Sequence, residues 1–455
     1  MLNGGSVVGN PTPTNPRFTM RTTTSFAFPS KSVTAVSKTV MALGLTAVLA
    51  TGCSNSGAPG SATPTAPHSS PAPPSASSPP AATQSPGPAS ASRDAGPSLS
   101  AAPPTSAAPA DTASQQLSRL SLDQRVGQLF MVAAKATGAD PGTMTALTTY
   151  HTGNVYLSGR SKAGSEATAK VVASLTGTVS PGTTGNLPLF VGTDQEGGNV
   201  QVLSGPGFTT IPAATAQAGL GGTRLRSEAA VWGKELRSAG VNVNLAPVLD
   251  TVASPEFAPS NGPIGRFQRQ YGYSPGTVSE LGNAFALGMA DAGVAPVVKH
   301  FPGLGRVVPN TDVSKDVRDK ETTRTDPALA PFRAAIRNGT RWVMLSNAYY
   351  DKIDPATIAP FSPVITSMLR EDLAFDGIIV SDDLCSAAQL EPWGSADRAL
   401  NFFGAGGTMM VCADPSRIPA MHQAVVDKAQ SDPAFMRKID DAVLTILRVK
   451  AASAL

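Results

Sequence analysis

Gly377-Ile378-Ile379-Val380-Ser381-Asp382-Asp383 reads as a strand buried on both faces that delivers a carboxylate at its C-terminal tip. The same design recurs upstream: Leu187 to Thr193 runs into Asp194, Val241 to Leu249 into Asp250, Val294 to Val298 into Lys299-His300, and Trp342 to Ser346 into Asn347. Continuous apolar runs of this kind belong to parallel sheets covered on both sides, whose sites collect at the strand C-termini. Helical patterns fill the gaps. Arg224–Ala239 carries Ala229, Val231, Trp232 and Leu236, and ends at Gly240; Thr277–Ala292 and Asp326–Asn338 end likewise, at Gly293 and Gly339. Further helices are expected after Phe361-Ser362-Pro363, over Ala396–Phe403 and from about Met436 to Leu447. Glycine past the last periodic residue is a helix stop.

Strand and helix therefore alternate, which specifies an α/β chain with a parallel sheet. The competing open, doubly wound fold places a glycine-rich phosphate turn early, and neither GxGxxG nor a Walker sequence occurs. A single (β/α)8-type, TIM-like barrel is the expectation. Its longest loops, Val252–Pro275 and Phe301–Thr325, would lie on the rim that carries specificity.

The 455 residues divide into three expected parts. Residues 1–53 read as a signal peptide: Lys31 and Lys38 precede the apolar Val40–Ala50, too short for a permanent span. The following Thr51-Gly52-Cys53 resembles a lipobox with Cys53 as the lipidation site. Residues 54–116 are mostly Ala, Pro, Ser, Thr and Gly, too poor in apolar surface to offset ordering entropy, and read as a disordered linker. Residues 117–455 are the barrel. The protein is thus expected to be exported and lipid-anchored to the outer face of the cytoplasmic membrane, and monomeric. A net charge of +3 with no basic stripe speaks against nucleic acid. Cys385 and Cys412 fall at predicted strand ends and so could be neighbours, but buried free thiols are expected. No CxxC, HExxH or histidine cluster supports a metal, and no cofactor is implied.

An ordered set of motifs sharpens this. Val126–Val132, Asp194-Gln195-Glu196-Gly197-Gly198, Asn244–Asp250, Lys299-His300-Phe301-Pro302-Gly303 and Ser381-Asp382-Asp383-Leu384 together resemble glycoside hydrolase family 3, in particular its single-barrel β-N-acetylglucosaminidases of the NagZ type. The resemblance spans nearly all of residues 117 to 455. It implies an exo-acting, retaining β-N-acetylglucosaminidase that removes terminal N-acetylglucosamine from peptidoglycan-derived fragments during cell-wall turnover. Asp382 then maps to the nucleophile, the carboxylate that traps an oxocarbenium-like centre as a glycosyl-enzyme. Asp383 would point away, since neighbours on a strand alternate. Lys299, His300 and Asp194 map to groups that hold sugar hydroxyls. Arg269 resembles the family's ring-binding arginine, with Arg266 as a rival, and Asp250 would position the arginine loop.

One departure stands out. The NagZ-type loop after Lys-His-Phe-Pro-Gly carries a histidine acid/base. Here the loop continues Leu304-Gly305-Arg306-Val307-Val308-Pro309-Asn310-Thr311-Asp312, and His68, His151 and His422 all lie outside it. Asp312 occupies the histidine's place, and a carboxylic acid donates a proton when burial or a nearby charge raises its pKa. Asp312 is the expected acid/base, with Asp316 and Asp319 as alternatives. Rival functions are a β-glucosidase or β-xylosidase with the same nucleophile, a phosphorolytic variant, and a sugar-binding lipoprotein without catalysis.

Overall fold

The computed structural model describes residues 109–453. The signal segment, Cys53 and most of the expected linker lie outside the described residues. Nine parallel strand segments form the framework: β1 (Phe130–Lys135), β2 (Asn154–Ser158), β3 (Phe190–Thr193), β4 (Val243–Asn244), β5 (Ala295–Pro296), β6 (Val298–Phe301), β7 (Trp342–Leu345), β8 (Ile378–Ser381) and β9 (Met410–Cys412). They are ordered β9-β1-β2-β3-β4-β5 in one sheet and β8-β7-β6 in another. Registers follow the apolar runs: Met131 faces Asn154, Val155 faces Val191, and Trp342 faces Ile378. Beyond these ladders, parallel bridges join Val248 to Lys299 and Val380 to Met409. The chain is α/β with a parallel sheet, as its alternation of strands and helices requires.

Most expected helices are present. Gly222–Ser238 and Pro275–Asp291 pack on each other and stop at Gly240 and Gly293, which hold φ of 81° and 74°. Only glycine adopts that left-handed conformation without a Cβ penalty, so the stop signal acts through backbone sterics. The segment after Ser362 begins as Pro363–Ser367 with the Ser362 hydroxyl accepting from the Ile365 amide, then widens into a π-turn over Met368–Asp372. The helix Ser395–Gly404 matches its expected place. The terminal helix is longer than expected, Pro433–Ala452, because Asp432 caps it through the Ala434 and Phe435 amides.

Two expectations need correction. The linker does not extend to residue 116: Pro109–Arg119 is helical and packs against Pro433–Ala452, with Ala113 fully buried. Its Ala, Gln and Leu residues are good helix formers, and docking on the terminal helix supplies what a short isolated helix lacks. Nor are the cysteines free thiols. Cys385 and Cys412 form a disulfide across a Cα separation of 4.9 Å. The pairing of β8 with the start of β9 brings those two strand ends together, a proximity that chain spacing alone leaves open.

The core between sheet and helices is close-packed. Phe190 and Trp342 meet edge to face at 4.8 Å between centroids, and Phe130 meets Phe403 in the same manner at 5.7 Å. Such pairs add about 0.5–1.5 kcal/mol each beyond their area burial.

Candidate active site

The residues at the C-terminal ends of these strands converge on a cavity of about 530 Å³. Asp194, Arg269, Lys299, His300, Asp312 and Asp382 all line it. Six positions spread over almost two hundred residues of sequence are therefore brought to one place by the strand tips and the two long loops.

Its polar floor is a network of paired charges. Lys299 Nζ lies 2.8 Å from Asp194 Oδ1 and 2.7 Å from Glu196 Oε1. Arg269 donates to the same Glu196 through Nε at 2.8 Å and Nη2 at 2.7 Å, a bidentate pairing, while its Nη1 donates to the Pro263 carbonyl. Burial pushes the Glu196 carboxyl up, but Arg269 and Lys299 outweigh it and hold the pKa down at about 2. Burial likewise opposes the charge on Lys299, yet Asp194 and Glu196 keep it above the ordinary lysine range. Glu196, Arg269 and Lys299 therefore stay charged, with the Asp194 carboxylate beside Lys299. Removing one partner would strand a buried charge, a loss of about 3–5 kcal/mol. Glu196 escaped the reading of the sequence although it lies in the quoted Asp194–Gly198 motif. The signal was its spacing: two residues beyond Asp194 on extended backbone, it falls on the same face. Gly197, at φ 103°, turns the chain back where any Cβ would meet the Pro212 carbonyl at 2.3 Å.

His300 forms the second unit. Its Nδ1 lies 2.7 Å from Asp250 Oδ2, and Asp250 Oδ1 accepts from the His300 and Leu304 amides. An aspartate that accepts on both oxygens makes Nδ1 the protonated nitrogen and leaves Nε2 for the cavity. Asp250 thus positions the histidine and the start of the loop after β6. It does not hold the arginine loop, as the sequence suggested; Glu196 holds Arg269 instead. Arg266 is exposed and is not among the residues lining the cavity, whereas Arg269 lines it.

Asp382 stands directly past β8, with Oδ1 accepting from the Asp383 amide at 2.8 Å. Burial pushes its pKa up to about 6; Asp312 adds to the rise, while His300 and Lys299 pull against it. The Asp383 carboxylate accepts from the Cys385, Ser386 and Ala413 amides, so it acts as a cap for the turn. Tyr156, on β2, is a second residue the sequence reading missed. It lines the cavity, and burial followed by the charges of Asp383, Asp194 and Asp382 pushes its phenol well above the usual range. It is a hydrogen-bond donor at any working pH. No sequence signal marked it beyond an aromatic residue inside an apolar strand, which ordinarily means core.

Asp312 is exposed on its loop and faces the same cavity as Asp382. The two alternatives do not reach it. Asp316 pairs with Arg318 at 2.6 Å, and Asp319 is buried and spent on the Glu321 and Thr322 amides and the Thr322 hydroxyl. Among the described residues no group of three or more His, Cys, Asp or Glu side chains is arranged to hold a metal ion.

Residues 121–449 match the profile of the glycosyl hydrolase family 3 N-terminal domain, and the chain belongs to that family. The crystal structure of a beta-N-acetylhexosaminidase from Beutenbergia cavernae is 50% identical, with a TM-score of 0.72 over 73% of this chain and 98% of that one. By sequence, a beta-hexosaminidase of Thiobacillus denitrificans is 36% identical over 252 residues; the match covers 50% of this chain and 64% of that relative, just under two thirds of its length. The beta-hexosaminidase LpqI of Mycobacterium tuberculosis is 27% identical over 341 residues, 73% of this chain and 83% of that protein.

Proposed function

We propose that the chain is an exo-acting, retaining β-N-acetylglucosaminidase. The observation that carries this is Asp382 at a strand tip, opening into the cavity whose floor is the Asp194–Glu196–Lys299–Arg269 network. The hexosaminidase names of its relatives supply the sugar. The same reading takes the parallel strands to form one (β/α)8 barrel. In its support, β5 leads into β6 through a single residue, and the Val380–Met409 bridge sets β8 beside β9.

In the first step Asp382 bonds to the anomeric carbon as the glycosidic bond breaks, and Asp312 gives its proton to the departing oxygen. In the second step Asp312 takes a proton from water, whose oxygen displaces Asp382 and releases the sugar. Asp194, the carboxylate that Lys299 contacts only through one oxygen, accepts from ring hydroxyls, as does His300 Nε2, while Lys299 donates. Tyr156 offers a further donor beside the carboxylates.

The substrate class is a peptidoglycan-derived fragment with non-reducing N-acetylglucosamine, and the setting is extracellular, with Cys53 as lipid anchor. The Cys385–Cys412 disulfide supports that setting, because such bonds persist in oxidising compartments. None of the described helices is long and apolar enough to cross a membrane.

A 5-fluoro N-acetylglucosaminyl fluoride should leave a glycosyl group on the peptide containing Asp382, read by mass spectrometry. Label on another residue, or turnover without any label, would remove the nucleophile assignment.

A further inference from the structure

The loop that carries Asp312 is held at both ends by one residue of the segment that follows β8. Thr311 and Asp312 offer their carbonyls to the amides of Gln389 and Ala388, at 3.1 and 3.0 Å. Further along the loop, the Gln389 side chain accepts from the Val317 amide at 3.1 Å and turns its Nε2 toward the Val317 carbonyl at 3.5 Å. Gln389 is 2% exposed, whereas Val313, between the two anchor points, is 78% exposed. The short stretch from Asp312 to Asp316 is thus the part that stands away from the body. Its span is limited on either side by Gln389.

Gln389 also belongs to the segment that begins at the nucleophile. Asp382 receives the Asp383 amide; the Asp383 carboxylate gathers the Cys385, Ser386 and Ala413 amides; the Cys385–Cys412 bond ties that turn to β9. The chain then passes to Ala388 and Gln389. Proton donor and nucleophile are therefore tied through one short, braced segment, although they lie on different loops. A general acid acts only within hydrogen-bond reach of its target, and a displacement of about 1 Å costs on the order of 100-fold. An amide side chain suits this task because it carries donor and acceptor together and can meet both the N–H and the C=O of one residue.

We infer that Gln389 is a positioning residue for catalysis, clamping the Asp312 loop at a set reach from Asp382. This rests on Asp312 being the acid/base. The clamp holds the loop backbone and touches neither the sugar nor the reacting atoms.

The test is a leaving-group series of aryl N-acetylglucosaminides with full-length protein. Gln389→Met keeps the volume and removes both hydrogen-bonding functions. It should lower kcat/KM on poor leaving groups by about 10- to 100-fold, and barely change kcat/KM for a dinitrophenyl substrate, whose leaving group needs no proton. Ala388→Pro makes the same test through the backbone, deleting the amide that reaches the Asp312 carbonyl. Proline is tolerated at the first position of the short helix Ala388–Leu390, and Ala387 is already extended at φ −61°, ψ 132°. This second variant carries the test should Gln389→Met fail to fold. Asp312→Ala is the control. If it shows the leaving-group dependence and the clamp variants lose activity uniformly or not at all, the clamp is refuted while the acid assignment stands. If Asp312→Ala itself loses activity uniformly, the acid assignment falls and the clamp's catalytic role with it.

Discussion

At Asp382 two demands conflict. The proposed nucleophilic role requires an ionised carboxylate, yet burial raises the Asp382 pKa to about 6, and Asp312 adds to the rise. The free enzyme should accordingly show kcat/KM increasing with pH through an acidic limb near 6, as Asp382 loses its proton. A limb near 4 would mean that the carboxylate is not buried as described. Stability should respond in the opposite sense. Between the ordinary carboxyl value and about 6 the folded state binds the extra proton, so stability falls as pH rises through that window and the cost persists above it. Asp382→Asn removes the charge and keeps the acceptor for the Asp383 amide. It should raise the melting temperature at pH 7.5, by up to about 3 kcal/mol in free energy, with the gain vanishing near pH 4. A destabilised variant at pH 7.5 would contradict the assignment of burial as the main cause.

Among the elements, the turn between β8 and the Gln389 segment joins the most roles. Its disulfide closes a separation of 27 residues, which by the chain-entropy account contributes roughly 2–4 kcal/mol. Its amides also cradle Asp383. Replacing both cysteines with serine should lower the unfolding free energy by about 2–4 kcal/mol and reduce turnover more than substrate affinity, because the turn carries Asp382 and not the Asp194–Glu196–Lys299–Arg269 network. Unchanged kinetics in a folded double variant would separate the disulfide from the site. The apolar runs and their polar tips were legible here because a strand buried on both faces leaves few ways to read it. Glycine stops marked three of the expected helix ends for an equally local reason. The hydrogen bonds that distribute the charges were not legible. Whether Asp250 holds Arg269 or His300 depends on which loop folds over which strand tip.

Across the molecule, the two ends of the described chain meet at the N-terminal edge of the strands, away from the site. Lys450, on the terminal helix, is buried and donates to Gln128 Oε1 at 2.8 Å, the Gly153 carbonyl at 3.0 Å and the Pro188 carbonyl at 2.7 Å. Burial with no facing carboxylate drops its pKa to about 7. Above that value the folded state has lost a proton the unfolded chain keeps, so wild type should gain stability as pH rises from about 7 toward 10. Measured against Lys450→Met, which has no such titration, the gain should amount to a few kcal/mol, on the order expected for a shift of this size. Parallel pH profiles for the two proteins would show that Lys450 does not carry the buried charge described here.

The sequence by itself determined the parallel α/β class, the family, and the rim on which Asp194, Lys299, His300 and Asp382 stand. Period and strand-end chemistry are local properties, and the order of motifs is written directly in the chain. Tertiary structure alone decided that Glu196 completes the charge network, that Arg269 and not Arg266 enters the cavity, that Asp250 serves His300, and that Cys385 bonds Cys412. Each of those outcomes is a pairing between distant segments. A side chain's partner is set by the packing that brings the segments within about 3 Å, and no pattern along a single segment encodes that distance.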